Sequence, residues 1–185
     1  MEALVSLTIL IITTTVASST VISAMQSVAL SRDYLVAQNL ADEAIEIVKN
    51  IRNTNSMISS ISVNECWTVI DPGTDCSIAN NKLTAGNHYI PILKDDSRWK
   101  LEDKLAQSPI NSNFQIYKKE IGTPGSGIFS YTNDGTGSLT PTNYYRYIKV
   151  LEENTDSVLI EVKVWWYTGA KVNELKGLTL ITNHE

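Results

Sequence analysis

The stretch that decides the fold is ALVSLTILIITTTVASSTVISAMQSVAL, residues 3–30, which carries no charged side chain. It is longer than the roughly 20 apolar residues with which a helix crosses a bilayer. It does not resemble an ordinary signal peptide, because Met1 and Glu2 precede it where such a peptide has a basic segment. A carboxylate at membrane depth costs a few kcal/mol even on mild insertion scales. We therefore expect Glu2 to require a cationic partner.

The amphipathic pattern from Arg32 to Asn53 predicts that the same helix continues beyond the apolar run. Apolar residues recur there at spacings of three and four, with charged residues between them. The predicted buried stripe is Ala37, Leu40, Ala41, Ala44, Ile45, Val48 and Ile51. Because no Gly or Pro occurs before Pro72, we predict one helix of about 78 Å that ends within residues 53–56. Its least favourable stretch is Thr13 to Thr20, since Thr and Ser have low helix propensity.

The C-terminal third alternates apolar and polar residues, which predicts three antiparallel strands over residues 144–151, 158–167 and 172–182. A turn at residues 168–170, which contain Gly169, joins the last two strands. Trp166 falls on the apolar face and is expected in the core, whereas Trp165 is expected to cover the helix or a sheet face. A long helix followed by an antiparallel sheet is an α+β fold.

The middle of the chain is less regular. We predict a short strand at His88–Leu93 that lies at a sheet edge because of Pro91, and a helical turn from Asp96 to Ala106. Another strand is predicted for Phe114–Ile121. Residues 122–142 are rich in Gly, Ser, Thr and Pro, which predicts a long surface loop.

Two cysteines, Cys66 and Cys76, flank a turn at residues 71–73. Their separation suits a small disulfide loop, worth roughly 2–3 kcal/mol in the chain-entropy model. Such a pair on a membrane-anchored chain is typical of an oxidising exterior. The alternative is a pair of free, buried thiols.

Composition and charge exclude several classes of protein. Apolar residues make up 43% of the chain and charged residues 19%, which is too apolar for a disordered chain. The net charge of −5 leaves no basic excess for nucleic acid. Residues 133–137 hold one acid where a calcium loop needs several oxygen ligands, so a solvated turn is expected. We predict neither a metal site nor a cofactor.

No catalytic constellation is evident. His88 and His184 are the only histidines, and a Cys66–His88 nucleophilic pair would need a third, orienting group that the spacing does not suggest. Neither a nucleophile elbow nor a phosphate-binding Gly loop occurs in the sequence. The aromatic cluster at residues 165–167 is expected to be core rather than a ligand platform. We therefore expect a protein that is not an enzyme.

The order of these features resembles one family. Glu2-Ala3-Leu4-Val5, an uncharged segment and an amphipathic helix resemble the N-termini of type IV pilins and of type II secretion pseudopilins. The end of the chain is similar to minor members of that superfamily. It consists of an alternating strand with Trp165-Trp166, the Gly turn and the last strand, residues 177–183. Met1 takes the place of the residue just before the family's Glu, so the resemblance implies three further residues and a leader upstream. The chain departs from many pilins in lacking Gly and Pro in the membrane half of the helix.

The expected organisation follows from these observations. Residues 1–31 form a transmembrane or filament-core half-helix, and residues 32–185 a globular pilin-like domain. The domain divides into an amphipathic half-helix (32–53), an irregular disulfide region (54–113) and an antiparallel sheet (114–185).

The resemblance implies a filament subunit that is anchored in the inner membrane before assembly and becomes extracellular, or part of a periplasmic pseudopilus, afterwards. Glu2 would pair with the N-terminal amine of a neighbouring subunit. The implied partners are other pilin subunits, membrane lipid before assembly, a prepilin peptidase, an assembly ATPase and a membrane platform. The alternative is a single-span, membrane-anchored extracellular domain that binds a ligand and does not polymerise.

Overall fold

The computed structural model describes residues 2–58, 66–74, 81–94, 98–104, 114–120, 127–130 and 139–183. These described residues form one helix, α1, and seven strands, and all of the strand pairs among them are antiparallel. Their bounds are α1 Glu2–Ile58, β1 His88–Leu93, β2 Trp99–Asp103, β3 Gln115–Glu120, β4 Gly127–Ser130, β5 Leu139–Glu153, β6 Ser157–Thr168 and β7 Lys171–Thr182. The predicted α+β fold is confirmed.

The chain divides into two compact units, Met1–Val36 and Ala37–Glu185. The first consists of the apolar half of α1, and the predicted helix through Thr13–Thr20 is confirmed. Hydroxyl groups in this stretch donate to main-chain carbonyls of the preceding turn. Thr15 donates to Ile11 at 2.7 Å and Ser18 to Thr14 at 2.8 Å. Because these polar groups are satisfied within the helix itself, they need neither water nor a neighbouring chain.

The second unit contains the rest of α1, whose apolar stripe packs on the sheet. Six residues of the predicted stripe are buried: Ala37, Leu40, Ala41, Ala44, Val48 and Ile51. Ile47 is also buried, whereas Ile45 is half-buried at the margin of the stripe. Ile45 instead lies over β7, where a methyl group added to Gly177 would be 3.5 Å from its Cδ1 atom.

The helix is longer than predicted, because it continues through residues 53–56 to Ile58. Two hydroxyl groups bond within the helix, from Thr54 to the carbonyl of Asn50 and from Ser56 to that of Arg52. Asn55 is buried and donates to the carbonyls of residues 67 and 69, at 3.3 and 2.8 Å. Of the polar residues that suggested a helix end, Thr54 and Ser56 are thus satisfied within the helix and Asn55 by a later segment.

Strand β5 organises the sheet because both of its edges are paired. One edge pairs with β6, which in turn pairs with β7. The other edge pairs with β3 near the start of β5 and with β1 near its end, and β4 and β2 lie outside those two strands. The strands predicted over residues 88–93, 114–121, 144–151, 158–167 and 172–182 are confirmed, with small differences in their bounds.

Three predictions for the middle of the chain are wrong. Residues 99–103 form strand β2 rather than a helical turn, since Leu101 is buried and the segment pairs along β1. Residues 127–130 and 139–142 belong to β4 and β5 rather than to a loop. The sheet therefore begins well before residue 114, inside the region predicted to be irregular.

Strand β1 is also not an edge strand, although it contains Pro91. Pro91 is paired with Leu101 of β2. The N–H of Leu101 donates to the carbonyl of Ile70 at 2.8 Å rather than to β1. Residues 91 and 101 therefore form a pair without mutual hydrogen bonds, and the missing N–H of proline costs that ladder nothing.

The two faces of the sheet differ in what buries them. The inner face, which α1 covers, is mainly aliphatic: Val158, Ile160, Val162 and Val164 are fully buried with Ile148 and Val150. The outer face carries a cluster of Ile90, Phe114, Tyr147 and Trp165. The Trp165 ring stacks on Tyr145 at 5.3 Å. Both tryptophans of the pair at residues 165–166 are buried, one on each face.

Candidate functional site

The apolar half of α1 is the most unusual surface of the molecule. The helix is long and apolar enough to cross a membrane, and its most apolar stretch buries none of its residues within the chain. Large side chains such as Leu4, Ile9, Ile12 and Val16 are each more than half exposed. A contiguous apolar surface of this size requires a cover, either lipid or other protein.

Glu2 is exposed in the first turn of α1. A carboxylate there interacts favourably with the positive end of the helix dipole. It is the only charged side chain before Arg32, so no other charge competes with it along the apolar surface. Its predicted partner, an N-terminal amine of another chain, remains a prediction.

A buried arginine that the sequence reasoning missed joins α1 to the sheet. Arg146 is 2% exposed on the inner face of β5. Its Nη1 atom donates to the carbonyl of Leu40 at 2.6 Å and to Oε2 of Glu43 at 2.8 Å. Its position between Tyr144 and Ile148, on the face that alternation marks as buried, was the available signal.

Cys66 is bonded in a disulfide. Its predicted partner, Cys76, lies outside the described residues, so the pairing itself remains a prediction. A disulfide-bonded sulfur is not a nucleophilic thiolate, and the Cys66–His88 catalytic pair is therefore excluded.

His88 lies at the start of β1 with its ring edge-on to that of Tyr147, 4.7 Å between centroids. Its Nδ1 atom is buried and has no hydrogen-bond partner in the described part of the chain. Burial lowers the pKa of His88 below its ordinary value, and the nearby charge of Lys149 lowers it further. The neutral imidazole is the form that this site favours.

The described residues hold no group of three or more His, Cys, Asp and Glu side chains that could bind a metal ion. The candidate calcium loop at residues 133–137 and the second histidine, His184, lie outside the described residues.

One cleft of about 420 Å³ lies between α1 and β2. Its charges are already engaged, since Lys49 pairs with Glu46 at 2.9 Å and Arg52 donates to the carbonyl of Thr182 at 3.0 Å. It is lined by Glu43, Glu46, Ile47, Lys49, Asn50, Arg52, Asn53 and Trp99. No set of groups suited to acid–base or nucleophilic chemistry converges there.

No family model, curated protein or solved structure matches the chain.

Proposed function

We propose that the chain is a structural subunit of an extracellular type IV pilus-like filament or of a secretion pseudopilus. It assembles from an inner-membrane-anchored form through its N-terminal helix. The observation that carries this proposal is the contrast along α1. From Ala37 onward one stripe of the helix is buried against the sheet, whereas residues 3–31 carry no charged side chain and leave their large apolar side chains exposed.

The apolar half of α1 can be buried by lipid before assembly and by the helices of other subunits after assembly. Burying a Leu or Ile side chain contributes roughly 1.5–3 kcal/mol, and the gain does not depend on what covers it. The hydroxyl groups of the Thr-rich stretch bond to their own helix, so they add little to the cost of either environment. A chain of this kind can therefore leave a bilayer for a helical bundle without losing the free energy of burial.

Glu2 would select the bundle over a nonspecific aggregate. A lone carboxylate in an apolar bundle is costly, and one amine at the start of a neighbouring chain offsets that cost. Because no other charge precedes Arg32, the pair would also set the axial position of one subunit against the next. A leader peptidase, an assembly ATPase and a membrane platform are the partners implied by the family resemblance.

Replacing Glu2 in the native host tests the proposal. Glu2→Gln keeps the shape of the side chain and removes its charge, and Glu2→Ala removes both. Either is expected to lower the number of sheared extracellular filaments by about tenfold or more, while insertion into the membrane is normal or improved. The matched control is Glu46→Ala, which removes an exposed acid of the same helix.

Electron microscopy of sheared material and membrane fractionation provide the two measurements. Normal filament numbers with Glu2→Ala would show that the carboxylate is incidental. If the wild-type chain never leaves the membrane fraction, the anchored, non-polymerising binding domain becomes the better account.

A further inference from the structure

Strand β7 lies at an open edge of the sheet. It pairs with β6 along Lys171–Thr182, and no strand in the described part of the chain pairs with its other edge. Three large apolar side chains on its outer face are more than half exposed: Val172 (51%), Leu178 (64%) and Leu180 (60%). A long edge strand with exposed apolar side chains is a template for pairing with another strand.

The hydrogen bonds show which residues of β7 face the open edge. The N–H of Asn183 donates to the carbonyl of Asp156 at 2.9 Å, which continues the β6–β7 register one pair beyond Ser157–Thr182. In an antiparallel ladder, bonded and non-bonded pairs alternate. The odd-numbered residues of β7 therefore bond to β6, and the even-numbered residues from 172 to 180 direct their N–H and C=O groups to the open edge.

The outer-face side chains of those even-numbered residues read apolar, acid, base, apolar: Val172, Glu174, Lys176, Leu178. This order is complementary to itself when reversed. In an antiparallel pair of two β7 strands, Glu174 can lie opposite Lys176 of the second copy while Val172 lies opposite Leu178. Opposite charges and apolar side chains at such positions stabilise a sheet.

Only one register achieves this match. A shift by two residues in one direction places Glu174 opposite its own copy, and the shift in the other direction places Lys176 opposite its own copy. Like charges directly opposite one another are destabilising. A shift by one residue places the even-numbered residues of one copy opposite odd-numbered residues of the other, whose N–H and C=O groups already bond to β6. It also places outer-face side chains of one copy opposite inner-face side chains of the other.

Charges on the neighbouring strand extend the match. Within one chain, Lys163 pairs with Glu174 at 2.6 Å and Glu161 with Lys176 at 3.8 Å. In the self-paired arrangement these become a row of alternating sign: Lys163, Glu174, then Lys176 and Glu161 of the second copy. Glu174 and Lys176 are each about half exposed, so both can reach a second copy.

From this we propose that the open edge of β7 is a homotypic interface, at which a second copy of this chain adds its own β7 in antiparallel orientation with Glu174 opposite Lys176. The inference goes beyond the proposed function and does not depend on it. The interface is isologous, because the same residues serve both chains and the pair closes on itself.

The direction of α1 relative to β7 within the second unit follows from three contacts. Leu40 lies at the level of Arg146, Ile45 lies over Gly177, and Arg52 bonds to Thr182. Residues 40–52 of the helix thus run in the same direction as β7. Two antiparallel β7 strands therefore carry two antiparallel helices, and the chain enters the two globular units from opposite ends.

The test uses the full-length chain in lipid nanodiscs loaded with one copy each, so that contacts between membrane helices do not contribute. Donor-labelled and acceptor-labelled discs are mixed and energy transfer is measured. Wild-type discs are expected to associate. Glu174→Lys and Lys176→Glu, each alone, are expected to weaken association at least about tenfold, because each places like charges opposite one another at both symmetric positions.

A mixture of the two variants tests whether restoring opposite charges across the interface restores association. When Glu174→Lys discs meet Lys176→Glu discs, every charge pair across the interface is again opposite in sign, and association is expected to return to within about threefold of wild type. The changes within each chain are the same alone and in the mixture, so lost folding cannot produce this recovery. No association of wild-type discs, or no recovery in the mixture, would overturn the proposal.

A proline pair checks the backbone contribution. Leu178→Pro removes an N–H at the open edge that does not bond to β6, and it is expected to weaken association at least about tenfold. Leu180→Pro removes an equivalent N–H that falls opposite the 169–170 turn of the second copy, and association is expected to persist. Glu2→Ala discs are expected to associate like wild type, which separates failure here from failure of the filament proposal.

Discussion

Arg146 on β5 donates a hydrogen bond to the main-chain carbonyl of Leu40, 106 residues earlier in the chain, at 2.6 Å. The same guanidinium nitrogen donates to Glu43, one turn further along the helix, at 2.8 Å. A buried cation in such a place is costly unless its bonds are made. Because the carbonyl belongs to one turn of α1, the bond holds the helix in one axial position on an otherwise apolar face.

Removing the carboxylate from this arrangement is expected to destabilise the globular unit. Glu43→Leu leaves the guanidinium of Arg146 buried without that counter-charge, and we expect a loss of about 2–4 kcal/mol. Glu46→Leu, at an exposed acid of the same helix, is expected to cost within about 0.5 kcal/mol. Denaturant unfolding in detergent, followed by tryptophan fluorescence, measures both, since all four tryptophans lie in this unit. Equal losses for the two variants would contradict a specific role for Glu43.

The contact between Ile45 and Gly177 limits the size of the side chain that position 177 can hold. An added methyl on Gly177 meets Ile45 Cδ1 at 3.5 Å, which is ordinary contact, so Gly177→Ala is expected to be tolerated. Gly177→Leu overfills the space between helix and sheet and is expected to cost about 1–3 kcal/mol. Ile45→Ala in the same chain is expected to recover part of that loss, which a double-mutant cycle measures. Strict additivity of the two substitutions would show that the side chains do not meet.

The disulfide of Cys66 is expected to have Cys76 as its partner. Mass spectrometry of unreduced peptides should find residues 66 and 76 in one cross-linked species. Reduction is expected to lower stability by roughly 2–3 kcal/mol, the value of a loop of this size. Two alkylatable thiols in the unreduced protein would disprove the pairing.

Stability is expected to depend on pH through His88. Its folded pKa lies below the ordinary 6.5, so the unfolded chain binds the proton more readily. The contribution of the neutral ring is complete above about pH 6.5 and is lost as pH falls through the folded pKa. The thermal midpoint in detergent should decline as pH falls below 6.5, and His88→Gln should reduce that decline. His184→Gln is the control, and an equal effect of the two variants would assign the decline to another group.

The local sequence pattern by itself determined α1 up to residue 53 and strands β6 and β7. The helix through residues 2–53 follows from a charge-free apolar run and then an amphipathic pattern, with no Gly or Pro in either. Strands β6 and β7 follow from the alternation of apolar and polar residues on the two sides of Gly169. In residues 32–53 and in the two strands, the period of apolar residues specifies the backbone, since one face must be buried whatever lies against it.

Tertiary structure decided what local pattern leaves ambiguous. Residues 99–103 become a strand only because β1 offers an edge, and α1 reaches Ile58 because Asn55 finds two carbonyls from a later segment. Ile47 is buried, whereas Ile45 lies over Gly177 of β7 and is only half-buried. Arg146 is tolerated inside because the Leu40 carbonyl and Glu43 come to it from a distant part of the chain. Each of these residues is buried or hydrogen-bonded by a segment remote in sequence. Because the free energy gained depends on that remote segment, neighbouring residues do not predict it.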